Sequence, residues 1–83
     1  MANVLLLPGT NVDLYAATGI TPGVKLKVSS NYARFIRLSV SESGLLDDFV
    51  TLYEYKQAEN EAGDAGAWAL STLERAVINV REA

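Results

Sequence analysis

Three runs of this chain alternate apolar and polar side chains with a period of two, and that period limits the fold more than any other feature. In VKLKVS, Val24, Leu26 and Val28 alternate with Lys25, Lys27 and Ser29; in FIRLSV, Ile36, Leu38 and Val40 alternate with Phe35, Arg37 and Ser39. In AVINVRE, Ala76, Ile78 and Val80 share one side. Such a period gives a strand one dry face and one wet face. The polar Ser30-Asn31 break between the first two runs predicts a hairpin, with the strands antiparallel neighbours.

Other segments extend this pattern. FVTLYEY, residues 49–55, carries β-formers on both sides, with Val50 and Leu52 on one and Phe49, Thr51, Tyr53 and Tyr55 on the other. That composition fits a central strand or one that meets a partner. Trp68, Leu70 and Thr72 alternate in AWALSTL, and Glu74-Arg75 can link that run tightly to AVINVRE. Val4 to Leu7 adds a sixth strand if it pairs with a sheet edge. Residues 41–48 and 56–66 are polar, acidic and glycine-bearing, and read as loops.

Between Thr10 and Val24 the period changes. Thr10 with Asp13 resembles a capping box, Gly19 is placed to end a helix, and a short helix is expected over about Asn11 to Thr18. The same residues also alternate as a strand through Val12, Leu14 and Ala16, and a segment this short does not choose between the two. Thr21-Pro22-Gly23-Val24 then has the signature of a type II turn, with proline at its second position and glycine at its third. Strands at even spacing with little helix predict a mainly β fold. The expectation is a small antiparallel sandwich or barrel of five to six strands with one short N-terminal helix.

Eighty-three residues make a single domain, 1–83, with a modest core. The chain has no cysteine and no histidine, so disulfides and thiolate or imidazole metal sites are closed to it. Oligomerisation is the remaining way to add stability. The start MANVLLLPG has no basic region, and its apolar run stops at Pro8, so neither a standard signal peptide nor a membrane span is expected. Charge is unevenly spread: residues 1–40 carry +3, and residues 41–83 carry −6, for a total of −3. That balance argues against nucleic acid as a partner. Opposed halves suit attraction within the domain, or subunits meeting edge to edge.

No catalytic or cofactor site emerges. Ser29 and Ser30 lie near Lys27, but a Ser–Lys pair needs a desolvated lysine, and Lys27 falls on the wet face. Asp47, Asp48, Glu59, Glu61 and Asp64 could offer oxygens to a hard cation, yet the calcium-loop pattern is missing and an acidic solvated loop is the simpler reading. Gly63 to Gly66 lacks the Lys-Ser/Thr ending of a phosphate loop. No metal, no cofactor and no enzymatic activity are therefore expected.

One surface constellation is of interest. On adjacent strands, Lys25, Lys27, Phe35 and Arg37 would share the outer face, three cations around a ring. Phe and Arg are typical anchors of protein–protein contacts, which favours that use over nucleic-acid stacking. Trp68, after a glycine-bearing loop, is a second candidate anchor; its rival role is the large core residue of a small domain.

The run VDLYAATGI (Val12–Ile20), the turn at Gly23, the strands Lys25–Ser30 and Phe35–Val40, and the closing GDAGAWALS (Gly63–Ser71) and VINVRE (Val77–Glu82) resemble small structural proteins of tailed-bacteriophage virions. This resemblance implies a small, β-rich, non-enzymatic subunit located in the virion. It also implies many copies, often trimeric or otherwise cyclic, attached to the major capsid protein or to the head–tail and tail assembly. The family contributes no catalytic residues. The competing expectation is a monomeric module that binds a glycan or a surface through Phe35, Trp68 or the tyrosines.

Overall fold

The computed structural model describes residues 2–30, 35–53, 56–60, 63, 66–72 and 74–83. The longest described strand, β8 (Ala76–Glu82), pairs on one side with β1 (Ala2–Leu6) and on the other with β3 (Leu26–Ser30), and β3 pairs in turn with β6 (Gln57–Glu59). A second sheet runs in the order β2 (Val12–Asp13), β7 (Trp68–Ser71), β4 (Ile36–Ser39), β5 (Val50–Leu52). Both sheets are antiparallel throughout. The fold is mainly β, as the alternation requires, and of the sandwich kind.

The strand number exceeds the expected five to six: the described residues form eight. Two of the additional strands lie outside the runs first assigned as strands. Gln57–Ala58–Glu59, expected as loop, joins β3 through its backbone. Val12–Asp13 opens the segment that alternates as a strand as well as reading as a helix, and both occur in turn: these two residues pair with Ala69 and Trp68, and the helix follows from Leu14. Val4 to Leu6 does pair along a sheet, opposite Ile78 to Ala76 of β8.

The expected hairpin between the first two alternating runs does not form. β3 belongs to one sheet and β4 to the other, so the chain changes sheet between Ser30 and Ile36. The Glu74-Arg75 link likewise carries the chain from β7 in one sheet to β8 in the other, and the Ser71 hydroxyl donates to the Glu74 carbonyl across it. Alternation fixes which side of a strand is dry. It is silent on whether the next strand lies beside it or across the core.

Where the dry sides meet, Leu6, Leu26, Ile78 and Val80 of one sheet pack with Ile36, Leu52 and Ala69 of the other. Each large member is worth about 1.5–3 kcal/mol for its removal from water. Leu14 and Tyr15 enter the same core from α1 (Leu14–Thr18). This helix starts three residues later than expected, because Val12 and Asp13 are held extended against β7. Its cap is accordingly Asp13, not Thr10: the Asp13 carboxylate accepts from the backbone N–H of Tyr15 (3.0 Å) and of Ala16 (3.3 Å). Gly19 closes the helix with its N–H on the Tyr15 carbonyl at 2.9 Å. The expected turn follows, with Val24 N–H on the Thr21 carbonyl and Gly23 at φ +98°, a conformation that glycine adopts without penalty.

Within the acidic segment 41–48, expected as a loop, a single helical turn forms, α2 (Gly44–Asp47). It contacts β4 and β7, and its Leu45 is fully buried outside the inter-sheet cluster. Leu70 of β7 is buried as well and also lies outside that cluster, on the side of the sheet opposite Ala69. A small third layer therefore covers part of the outer face of the second sheet. None of the described helices is long and apolar enough to cross a membrane.

Candidate functional site

Separating β3 from β4 splits the expected constellation of Lys25, Lys27, Phe35 and Arg37. Lys25 and Lys27 stand on the outer side of the first sheet. Lys25 pairs with Glu59 at 3.2 Å, and Lys27 lies in register between Glu59 and Arg81. The pair joins a residue of the basic half to one of the acidic half, so opposed charge acts here within the domain. The two lysines do not share a face with Phe35 and Arg37.

On the outer side of β4 and β5 a different set comes together. Ile36 and Leu52 are register partners pointing into the core, so the residues beside them point out. Phe35 and Tyr53 meet edge to face with ring centroids 5.8 Å apart, and both are exposed. One step along, Arg37 holds its guanidinium 4.3 Å from the centre of the Phe49 ring and donates to the Leu45 carbonyl at 3.1 Å. The carbonyl comes from α2, so the small outer layer fixes the arginine. Three rings and a cation form a stripe along one edge of the sandwich, and β5, its outermost strand, has no described partner on its far side. Sequence reasoning named Phe35 and Arg37 and set Phe49 and Tyr53 together on one side of their strand. It missed that β5 brings the two pairs side by side, because that depends on which strands become neighbours.

Trp68 is half-buried and outside the inter-sheet cluster, so it is not the large core residue of the fold. It helps line a cleft of about 240 Å³ at one end of the sandwich, between Leu26, Val28 and Ala58 of the first sheet and Leu38, Val40 and Val50 of the second. Val40 and Val50 continue the inward side of their strands, yet they are 54% and 64% exposed. The three-residue β6 is too short to cover them. Asp48 and Glu59 lie at the rim.

Of the described acidic residues, Asp48 and Glu59 line the same cleft and Asp47 does not. Asp47 ends α2, Asp48 follows it and Glu59 is on β6 of the other sheet, while Glu61 and Asp64 lie outside the described residues. Among the described residues, no three acids are grouped to hold a metal ion. Tyr55 of the expected outer face also lies outside the described residues.

Comparison of the chain with protein families, with curated proteins and with solved structures finds no match.

Proposed function

We propose that this chain is a non-enzymatic structural subunit that works by protein–protein contact. In the setting that its sequence resemblance implies, it is a multi-copy component of a tailed-bacteriophage virion, attached to the capsid or the head–tail assembly. The observation that carries this reading is the stripe of the exposed rings Phe35, Tyr53 and Phe49 with the half-buried Arg37, beside a β5 edge that has no partner among the described residues. Aromatic residues and arginine are enriched at the centres of protein interfaces, where large rigid groups bury area at little entropic cost. Backbone groups of β5 without a described partner add a second means of attachment.

The glycan-binding alternative has less support. Sugar recognition draws on several polar groups beside a ring, and the stripe offers few, the Tyr53 hydroxyl and the N–H groups of Arg37 that remain beyond the one given to the Leu45 carbonyl. The stripe is mostly apolar, which suits the apolar side chains of another protein.

Mass spectrometry of density-gradient-purified particles from the source of the sequence tests the setting. The chain is expected in the particle band at a constant ratio to the shell protein. Its recovery only at the top of the gradient would refute the virion role.

A further inference from the structure

The cleft beside Trp68 is walled mainly by apolar side chains. Leu26, Val28, Leu38, Val40 and Val50 stand on the inward sides of their strands, where the two sheets part and the short β6 leaves a gap. The core is thus open to water at this end, with Val40 and Val50 exposed. An occupant of matching character would remove that apolar surface from solvent. At about 240 Å³ the cleft exceeds the roughly 150 Å³ of a cavity that holds benzene. It falls short of the roughly 300–1,000 Å³ of sites for drug-sized ligands. A chain of about six to eight carbons, or one substituted ring, is the scale that fits.

The oxygen-bearing side chains of the lining select the other end of the ligand. Among the described residues these are Ser39, Asp48, Glu59 and Asn60, and three of them are already engaged within the fold. The Ser39 hydroxyl donates to the Asp48 carbonyl at 3.0 Å. The Asn60 amide donates to Tyr15 and its oxygen accepts from Leu26, while Glu59 pairs with Lys25 at 3.2 Å. The Asp48 carboxylate has no hydrogen bond or ion pair among the described residues, and no described lysine or arginine lines the cleft. An ionised carboxylate only accepts, so the group that completes it is a donor. A cationic donor does so more strongly than a neutral one.

We propose that this cleft binds a small amphipathic amine, its alkyl chain or ring between the two sheets beside Trp68 and its protonated nitrogen at the mouth on the Asp48 carboxylate. An anionic amphiphile of the same length brings its own charge against that carboxylate and is disfavoured. The inference goes beyond the attachment proposed above. The cleft lies on the inward side of β4 and β5 and the contact stripe on the outward side, so each is lost to its own substitutions.

Trp68 is the only tryptophan of the chain, so its fluorescence reports on the cleft. The test is titration of the full chain with octylammonium, octanoate and octanol, equal chains with three head groups, followed by this fluorescence and by calorimetry. Octylammonium is expected to shift the Trp68 emission saturably and to bind about tenfold tighter than octanoate, with octanol between them. Asp48 is exposed, so Asp48→Asn is expected to keep the native circular dichroism and to lower octylammonium to the level of octanol. The Phe35→Asp/Tyr53→Asp variant is expected to bind octylammonium as wild type does, which separates failure of the cleft from failure of the stripe. No saturable binding, heat of binding without a response at Trp68, equal affinity for the three compounds, or an Asp48→Asn chain that keeps the preference would overturn the proposal.

Discussion

Tyr15 and Asn60, 45 residues apart in sequence, share a hydrogen bond of 3.0 Å from the Asn60 side-chain amide to the Tyr15 hydroxyl. The same hydroxyl donates to the Val24 carbonyl at 2.6 Å, and the Asn60 side-chain oxygen accepts from the Leu26 backbone N–H at 2.6 Å. α1, the entry to β3 and the exit from β6 are thus tied at one end of the sandwich. Tyr15→Phe keeps the ring but leaves the Asn60 amide and the Val24 carbonyl short of a partner. A loss of about 1–3 kcal/mol is expected in urea unfolding. Asn60→Ala should cost a similar amount, and the double variant less than the sum, because both remove the same bond.

Ile78 is fully buried at the centre of β8, flanked in register by Val4 and Ser30. Ile78→Ala is expected to cost about 2–5 kcal/mol, since the lost contacts leave a void that strands on both sides prevent from closing. Val77→Ala, one residue away on the outer side, should cost clearly less. Thermal unfolding of the two variants checks the inward and outward assignment of β8.

Gly66 approaches the main chain of β4's end so closely that a Cβ there would collide with the Val40 carbonyl oxygen. That neighbour is backbone and cannot rotate away. Gly66→Ala is expected to destabilise by about 1–3 kcal/mol through this overpacking, measured by denaturant midpoint. Gly9→Ala provides the contrast, since nothing lies within reach of a Cβ at that position and its cost arises from conformation alone.

Arg37 and Phe49 are coupled through the face of the ring. A double-mutant cycle of Arg37→Ala and Phe49→Ala is expected to return a coupling of about 0.5–1 kcal/mol, the range for an exposed cation–π contact. A value near zero would show that the two side chains meet without mutual stabilisation.

The sequence was most legible where burial imposes a period. Leu26 and Val28, Ile36, and Ala76, Ile78 and Val80 are all buried as their alternation implies, and the turn at Gly23 has the expected geometry. Pairing was less legible. Lys27 and Arg37 carry the same strand signal and lie on different sheets, because a short polar link serves a hairpin and a crossing between sheets equally well. The edge strands were least legible, since Gln57–Glu59 is held by main-chain bonds that any side chain permits. Half of the contact stripe could therefore be named beforehand, and its completion by Phe49 and Tyr53 depended on β5 becoming the neighbour of β4.

The most direct test of the account is cosedimentation of the purified chain with particles that lack it, comparing wild type with a Phe35→Asp/Tyr53→Asp variant whose circular dichroism and thermal midpoint match. Both rings are exposed, so their loss should spare the fold while placing charge on the stripe. Wild type is expected in the particle pellet at saturable occupancy, and the variant in the supernatant. A wild-type chain that never pellets, or a folded variant that pellets as well as wild type, would contradict the claim that this chain attaches to a larger assembly through the outer face of β4 and β5.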